Sequence, residues 1–259
     1  MEIFRGVPRA LAAACRALMT GGPAGTCARE SLAWALGIPE RVRVAGRAGV
    51  SSPHMTDLAG TDVPPLVEQA CAAARRIGFP VTRDDPGHGR GSASLPGTGR
   101  FLAVLAAGCA GGSIAELGTG AGIGSAWIAT AMPADCTLVT AEIDPVRAAA
   151  AAEVLGSDSR VRVLTGDWSL LLPPLGPYDL IFCDSGVRDA ATFSGLVDLL
   201  KPGGRIVNDD ITPFLALPAD SPFRQADLKR DLFAGEPRLV WTEVVLPDLA
   251  NSLLVGTRK

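Results

Sequence analysis

The residues able to do chemistry in this chain are carboxylates and glycines gathered at a few short sites. In AELGTGAGIGSA (115–126), Gly118, Gly120, Gly122 and Gly124 stand at alternate positions, with Glu116 two residues ahead of the first. Glycine costs backbone entropy, so this crowding implies a sharp turn or a close approach by something else. Further along stand Glu142 and Asp144 in TAEIDP, Asp167 and Trp168 in TGDW, Asp184 in FCDSGV, and the pair Asp209–Asp210 in VNDD. Ionised carboxylates accept hydrogen bonds and donate none, so each could receive hydroxyl or amino groups of a ligand. His54 and His88 are the only histidines, and no C-x-x-C pair exists, so a zinc site is not expected.

These sites fall at the ends of short apolar segments. SIAEL (113–117), TLVTAEI (137–143), RVRVLTG (160–166), YDLIFCD (178–184) and GRIVNDD (204–210) read as strands. Helical stretches separate them: residues after the glycines through Ala131, then DPVRAAAAAEVLG and AATFSGLVDLL. Apolar strands alternating with helices predict a parallel sheet covered on both faces. RLVWTEVVL (238–246) and NSLLVGT (251–257) flank a brief turn and predict an antiparallel hairpin at the sheet edge. Ahead of the sheet, helices are expected over 3–20, from Ala28 to Leu36, and over Pro64–Phe79, the last with prolines at its start and Gly78 after its last turn. DDPGHGRGSASLPGTG (84–99) is too rich in Gly, Ser and Pro to be regular, and reads as a disordered linker or as a mobile loop bordering a site. In an open parallel sheet ligands sit beyond the carboxyl ends of the strands, which is where the glycine loop falls.

Composition bounds the rest. The chain has 259 residues, 47% of them hydrophobic, and a formal charge of −3, which gives no basic footprint for nucleic-acid phosphates. Lysine occurs only at Lys201, Lys229 and Lys259. The six cysteines (Cys15, Cys27, Cys71, Cys109, Cys136, Cys183) are scattered singly, as small core residues of a reducing compartment would be. ALAAAC (10–15) loosely resembles a lipoprotein cleavage site, but Arg5, Arg9 and Arg16 interrupt the apolar run. A soluble, cytoplasmic protein with a small-molecule partner is the expectation, with neither a membrane nor a nucleic acid.

A dinucleotide site asks for G-x-G-x-x-G. Counted from Gly118 the third glycine falls on Ile123, and counted from Gly120 it falls on Ser125, so the spacing fails both ways. What stands here is acid-x-G-x-G-x-G, which resembles motif I of the class I S-adenosylmethionine-dependent methyltransferases. A finer resemblance is to their catechol and caffeoyl-CoA O-methyltransferase group. It is carried by LPGTGRFLAVL (95–105), IAELGTGAGIGSAWIA, LLKPGGRIVNDD (199–210) and VVLPDLANSLLVGTRK, and covers roughly Ser94 to Lys259.

The resemblance implies a Rossmann-like α/β fold: a mostly parallel seven-stranded sheet, helices on both faces, a C-terminal antiparallel hairpin, and N-terminal helices in front. Residues 1–83 would be a helical lid or dimer contact, and 84–259 the methyltransferase domain of a homodimer. S-adenosylmethionine would be held by Glu116, Gly118, Thr119, Gly120, Gly122, Gly124, Ser125, Glu142, Ile143, Gly166, Asp167, Trp168 and Asp184. Glu142, with Asp144 as understudy, would accept the ribose hydroxyls. Asp167 would accept the adenine amino group, and Trp168 would either flank the ring or simply pack in the core.

The same resemblance implies a divalent cation, usually magnesium, on Asp184, Asp209 and Asp210, clamping a vicinal diol. Carboxylates so close raise one another's pKa unless a cation neutralises them; alternatively Asp209 or Asp210 caps the turn before Pro213. Two departures stand out: Asp210 replaces the group's Asn, and Val187 replaces its general-base Lys. Arg188 keeps its proton at any working pH and is no substitute. The catalytic residues would then be Asp184 with His88 as base, or metal coordination alone lowers the hydroxyl's pKa and no base is needed, or the diol chemistry has been lost. Methylation of nucleobase nitrogen is disfavoured by DSGV after the fourth strand. Methylation of tRNA oxygen, and cofactor binding without turnover, stay open.

Overall fold

From Ser113 onward strands and helices alternate as the pattern predicts. In the computed structural model the described residues are 63–82, 84–86, 93–224, 226–246 and 251–259; the helices expected over 3–20 and 28–36, and both histidines, His54 and His88, lie outside them. The strands are β1 (Ser113–Leu117), β2 (Thr137–Glu142), β3 (Val161–Thr165), β4 (Tyr178–Cys183), β5 (Leu200–Ile211), β6 (Leu239–Val245) and β7 (Ser252–Arg258). They form one seven-stranded sheet in the order β3-β2-β1-β4-β5-β7-β6. The first five run parallel, while β7 pairs antiparallel with both β5 and β6. The C-terminal hairpin is therefore as expected.

Between the strands lie α1 (Pro65–Arg76), α2 (Pro96–Ala107), α3 (Ile123–Ala131), α4 (Pro145–Leu155), α5 (Trp168–Leu171), α6 (Ala190–Asp198) and α7 (Leu228–Gly235). Side chains alternate across a strand, and the central strands bury both faces. On one face Ala115, Leu117, Ile181 and Cys183 join Phe193 and Leu196 of α6 and Phe233 of α7. On the other, Ile114, Leu180 and Phe182 meet Leu102 of α2 and Ile128 of α3. Helix α1 adds Val67, Ala70 and Ala74 to a third cluster with Trp127, Ala151 and Leu155. Cys109, Cys136 and Cys183 are buried as free thiols, and Cys71 is half-buried.

One segment differs from the pattern read off its composition. Residues 96–99, expected to be irregular, form the first turn of α2, with Pro96 in the initial position where its missing N–H costs nothing. Gly99 has a packing role there: a methyl group in its place would run into the indole ring of Trp127. The small residue lets α2 lie against α3.

Candidate active site

The loop after β1 is built around a buried acid. Glu116 is 1% exposed; its carboxylate accepts the hydroxyl of Thr140 at 2.7 Å and that of Ser125. Burial pushes its pKa up to about 7. Gly124 fits because a side chain there would strike this carboxylate. Thr119 meets Thr140 at 2.5 Å. Gly122 enters α3 at φ +88, where a methyl group would lie 3.1 Å from Ala151. Glu116, Thr119, Gly122, Gly124 and Ser125 therefore stand behind the loop and shape it.

The front of the loop opens on a cavity of about 490 Å³ at the carboxyl ends of the parallel strands, within the range of small-molecule sites. Of the residues singled out in the sequence, Gly118, Gly120, Glu142, Ile143, Gly166, Asp167, Trp168 and Asp184 line it. Gly118 has φ +90 and lies so close to the loop after β4 that a methyl group would sit 3.2 Å from the Asp184 carbonyl. Glu142 is 6% exposed, and its carboxylate accepts the amide of Gly120 at 2.8 Å and that of Asp144 at 3.0 Å. The glycine loop is thereby tied to the end of β2. Asp144 turns away from the cavity to cap α4, accepting the amides of Val146 and Arg147. Asp167 caps α5 through the Ser169 amide at 2.9 Å, which lowers its pKa, and Trp168 packs against the core while lining the cavity.

Other lining residues come from places that spacing does not reveal. Phe79 follows α1, and the Arg147 guanidinium lies over its ring at 4.9 Å. Ser185, Gly186 and Arg188 extend the wall beyond Asp184. The hydroxyl oxygen of Ser185 is buried and has no hydrogen-bond partner among the described residues, an unusual state for a polar atom in a protein interior. A ligand with polar atoms, entering between the Glu142 carboxylate and this hydroxyl, fits the donor set.

The acidic trio is a different case. Asp184 lines the cavity, and burial together with the charges of Asp209 and Asp210 raises its pKa well above the usual carboxylate range. Asp209 is 3% exposed and turned inward: its carboxylate accepts the Asn251 side-chain amide at 2.8 Å and the Asp210 amide at 2.7 Å. Asp210 is exposed, at φ 61. Among the described residues no group of three or more His, Cys, Asp or Glu is disposed to hold a metal ion. Magnesium needs several oxygens converging on one point. Of the acids that the resemblance implies as metal ligands, Asp209 is engaged at Oδ1 by Asn251 and the Asp210 amide, and Asp210 is exposed.

An αβ sheet with a glycine loop and an acid at the end of the second strand defines a nucleoside-binding class of enzyme. A family described as Methyltransferase domain matches residues 115–211. A protein of Mycolicibacterium smegmatis described as an O-methyltransferase is 34% identical over 150 residues, 55% of this chain and 68% of that protein. A catechol O-methyltransferase from Niastella koreensis is 38% identical over 125 residues, 45% of this chain and 57% of the relative. The O-methyltransferase TomG from Streptomyces achromogenes, solved in complex with SAM, has a TM-score of 0.60 at 24% identity, covering 79% of this chain and 93% of its own, a likeness of fold. The chain belongs to the family of O-methyltransferases that these proteins represent. It spans a little over half the length of most of the curated relatives it matches, 57% and 55% in two cases.

Proposed function

We propose that this protein transfers the methyl group of S-adenosylmethionine to a hydroxyl oxygen of a small molecule. The observation that carries the reading is the bond from the Gly120 amide to the Glu142 carboxylate, which places an acid on the floor of the cavity beside a loop too tight for side chains. The cofactor supplies a sulfonium methyl already open to displacement by an oxygen nucleophile. The protein's task is alignment and exclusion of water. In this reading Glu142 accepts the ribose hydroxyls with the carboxylate edge that the backbone amides leave open. Gly118 and Gly120 pass beneath the methionine portion. Asp167 accepts from the adenine, and Trp168 flanks it. The acceptor enters along Asp184, Ser185 and Gly186, and the unpartnered Ser185 hydroxyl is available to it. A cytoplasmic setting and a homodimer complete the proposal.

The test is incubation with methyl-labelled S-adenosylmethionine and a panel of catechols and simple phenols, with bulk tRNA as a parallel substrate. Label recovered as an aryl methyl ether supports the proposal. Label in tRNA, or tight cofactor binding with no transfer to any hydroxyl, contradicts it.

A further inference from the structure

Two arginines stand in the cavity wall, and only one of them is held by the protein. Arg147, in the first turn of α4, lies over the Phe79 ring at 4.9 Å and reaches Asp144 at 3.6 Å. Arg188, on the loop after β4, also lines the cavity, yet among the described residues no hydrogen bond, ion pair or ring engages its guanidinium. The next residue, Asp189, is spent on capping α6: it accepts the Thr192 amide and hydroxyl, each at 2.8 Å. Of the acids lining the cavity, Glu142 takes the amides of Gly120 and Asp144, and Asp167 takes that of Ser169.

The loop that carries Arg188 is fixed. The Asp184 amide donates to the Leu117 carbonyl at 3.0 Å, and Val187 is buried in the core cluster with Phe193 and Leu196. Between them Gly186 has no side chain, and Nε of Arg188 lies 3.5 Å from the point where a methyl group on Gly186 would sit. The arginine therefore bends back over Gly186 along the lip of the cavity.

A guanidinium presents N–H donors in a planar fork that matches a carboxylate, so an unmet fork beside a ligand cavity suits an anion. A carboxylate fits better than a phosphate dianion, because a single guanidinium faces it and Asp184 stands on the same wall. The hydroxyl to be methylated is constrained as well. Val187, where the resemblance implies a base, is apolar and buried, and a phenol with a pKa of about 10 gives up its proton far more readily than an alkyl alcohol.

We propose that Arg188 selects the acceptor by binding a carboxylate, so that the molecules methylated here are phenolic acids, their hydroxyl at Asp184 and their acid group on the guanidinium. The proposal rests on the methyltransferase reading and narrows it. In the transfer the phenol oxygen bonds to the methyl carbon, the carbon–sulfur bond breaks with its electron pair left on sulfur, and the phenol proton passes to water. S-adenosylhomocysteine and the methyl ether of the acid are the products.

The experiment uses the full chain saturated with S-adenosylhomocysteine, titrated calorimetrically with hydroxybenzoates bearing the hydroxyl ortho, meta or para, each beside its neutral carboxamide. At least one acid should bind more tightly than its amide, by roughly tenfold or more. Arg188→Gln should bring that ratio close to one, and Arg188→Lys, which keeps the charge without the fork, should fall between the two. The same ratio should appear in kcat/KM for transfer of labelled methyl. Arg188 is exposed, so the variants should share the wild-type melting midpoint. Acids and amides that bind alike, no saturable heat from any acid, or a preference that survives Arg188→Gln would overturn the proposal. So would a loss of S-adenosylhomocysteine affinity in Arg188→Gln, which would give the guanidinium to the cofactor's own carboxylate. Transfer to neutral phenols with no preference for acids would sink this proposal and leave the methyltransferase reading standing, whereas a wild type that fails to bind S-adenosylhomocysteine would count against that reading itself.

Discussion

Glu116 shows how one residue shapes the site without entering it. Its carboxylate sits under the glycine loop, held by Ser125 and Thr140, and burial raises its pKa from 4.5 to about 7. Because the folded protein keeps a proton that the unfolded chain releases, the contribution of this group is fully present below pH 4.5 and is lost as pH rises to about 7. A tenfold change in proton affinity is worth about 1.4 kcal/mol, so the loss is on the order of 3 kcal/mol. Glu116→Gln keeps the shape and removes the titration. Denaturant unfolding measured below and above this window should therefore show wild type losing stability relative to Glu116→Gln as pH rises. Parallel pH profiles for the two proteins would show that Glu116 is not a buried acid. The sequence pointed to Glu116 as a cofactor ligand, and spacing alone could not have placed it otherwise. An acid two residues before a glycine reads the same whether its side chain faces the cavity or the core.

At the scale of the element, the glycines divide by what stands opposite them. Gly99 in α2 touches the Trp127 ring, whereas Gly195 in α6 has nothing within 4 Å and lies exposed. Gly99→Ala overpacks the α2–α3 contact and should cost about 1–3 kcal/mol. Gly195→Ala relieves an exposed helix interior of its most flexible residue and should stabilise by about 0.5–1 kcal/mol. Chemical denaturation of the two variants checks both. Equal signs would mean that these helices are not packed as described. The strands were readable because their apolar runs are short and bounded by glycine and acid, and SIAEL matches β1 residue for residue. The first turn of α2 was not. By composition Gly97 and Gly99 are breakers, and only the neighbouring indole explains why a glycine belongs in that helix. Helix α5 also escaped notice, being a single turn capped by Asp167.

For the molecule as a whole, the sequence marked the end of the sheet where the cavity lies and about half of the residues lining it. Glu142, Asp167, Trp168 and Asp184 were legible because each ends or follows a strand whose place in the order is predictable. Phe79, Arg147, Ser185 and Arg188 were not, since the fold brings them to the cavity from α1, α4 and the β4 loop with no motif to mark them. The three acids expected to hold a metal are legible in their order along the chain, but that order says nothing of Asn251, which bonds one of them.

If Glu142 and the loop it fastens receive the sugar of S-adenosylmethionine, a crystal structure of the protein grown with S-adenosylhomocysteine will show it. The ribose hydroxyls are expected on the Glu142 carboxylate, with the adenine between Asp167 and Trp168. Density for the nucleoside elsewhere, or a cavity that stays empty at saturating ligand, would contradict that placement.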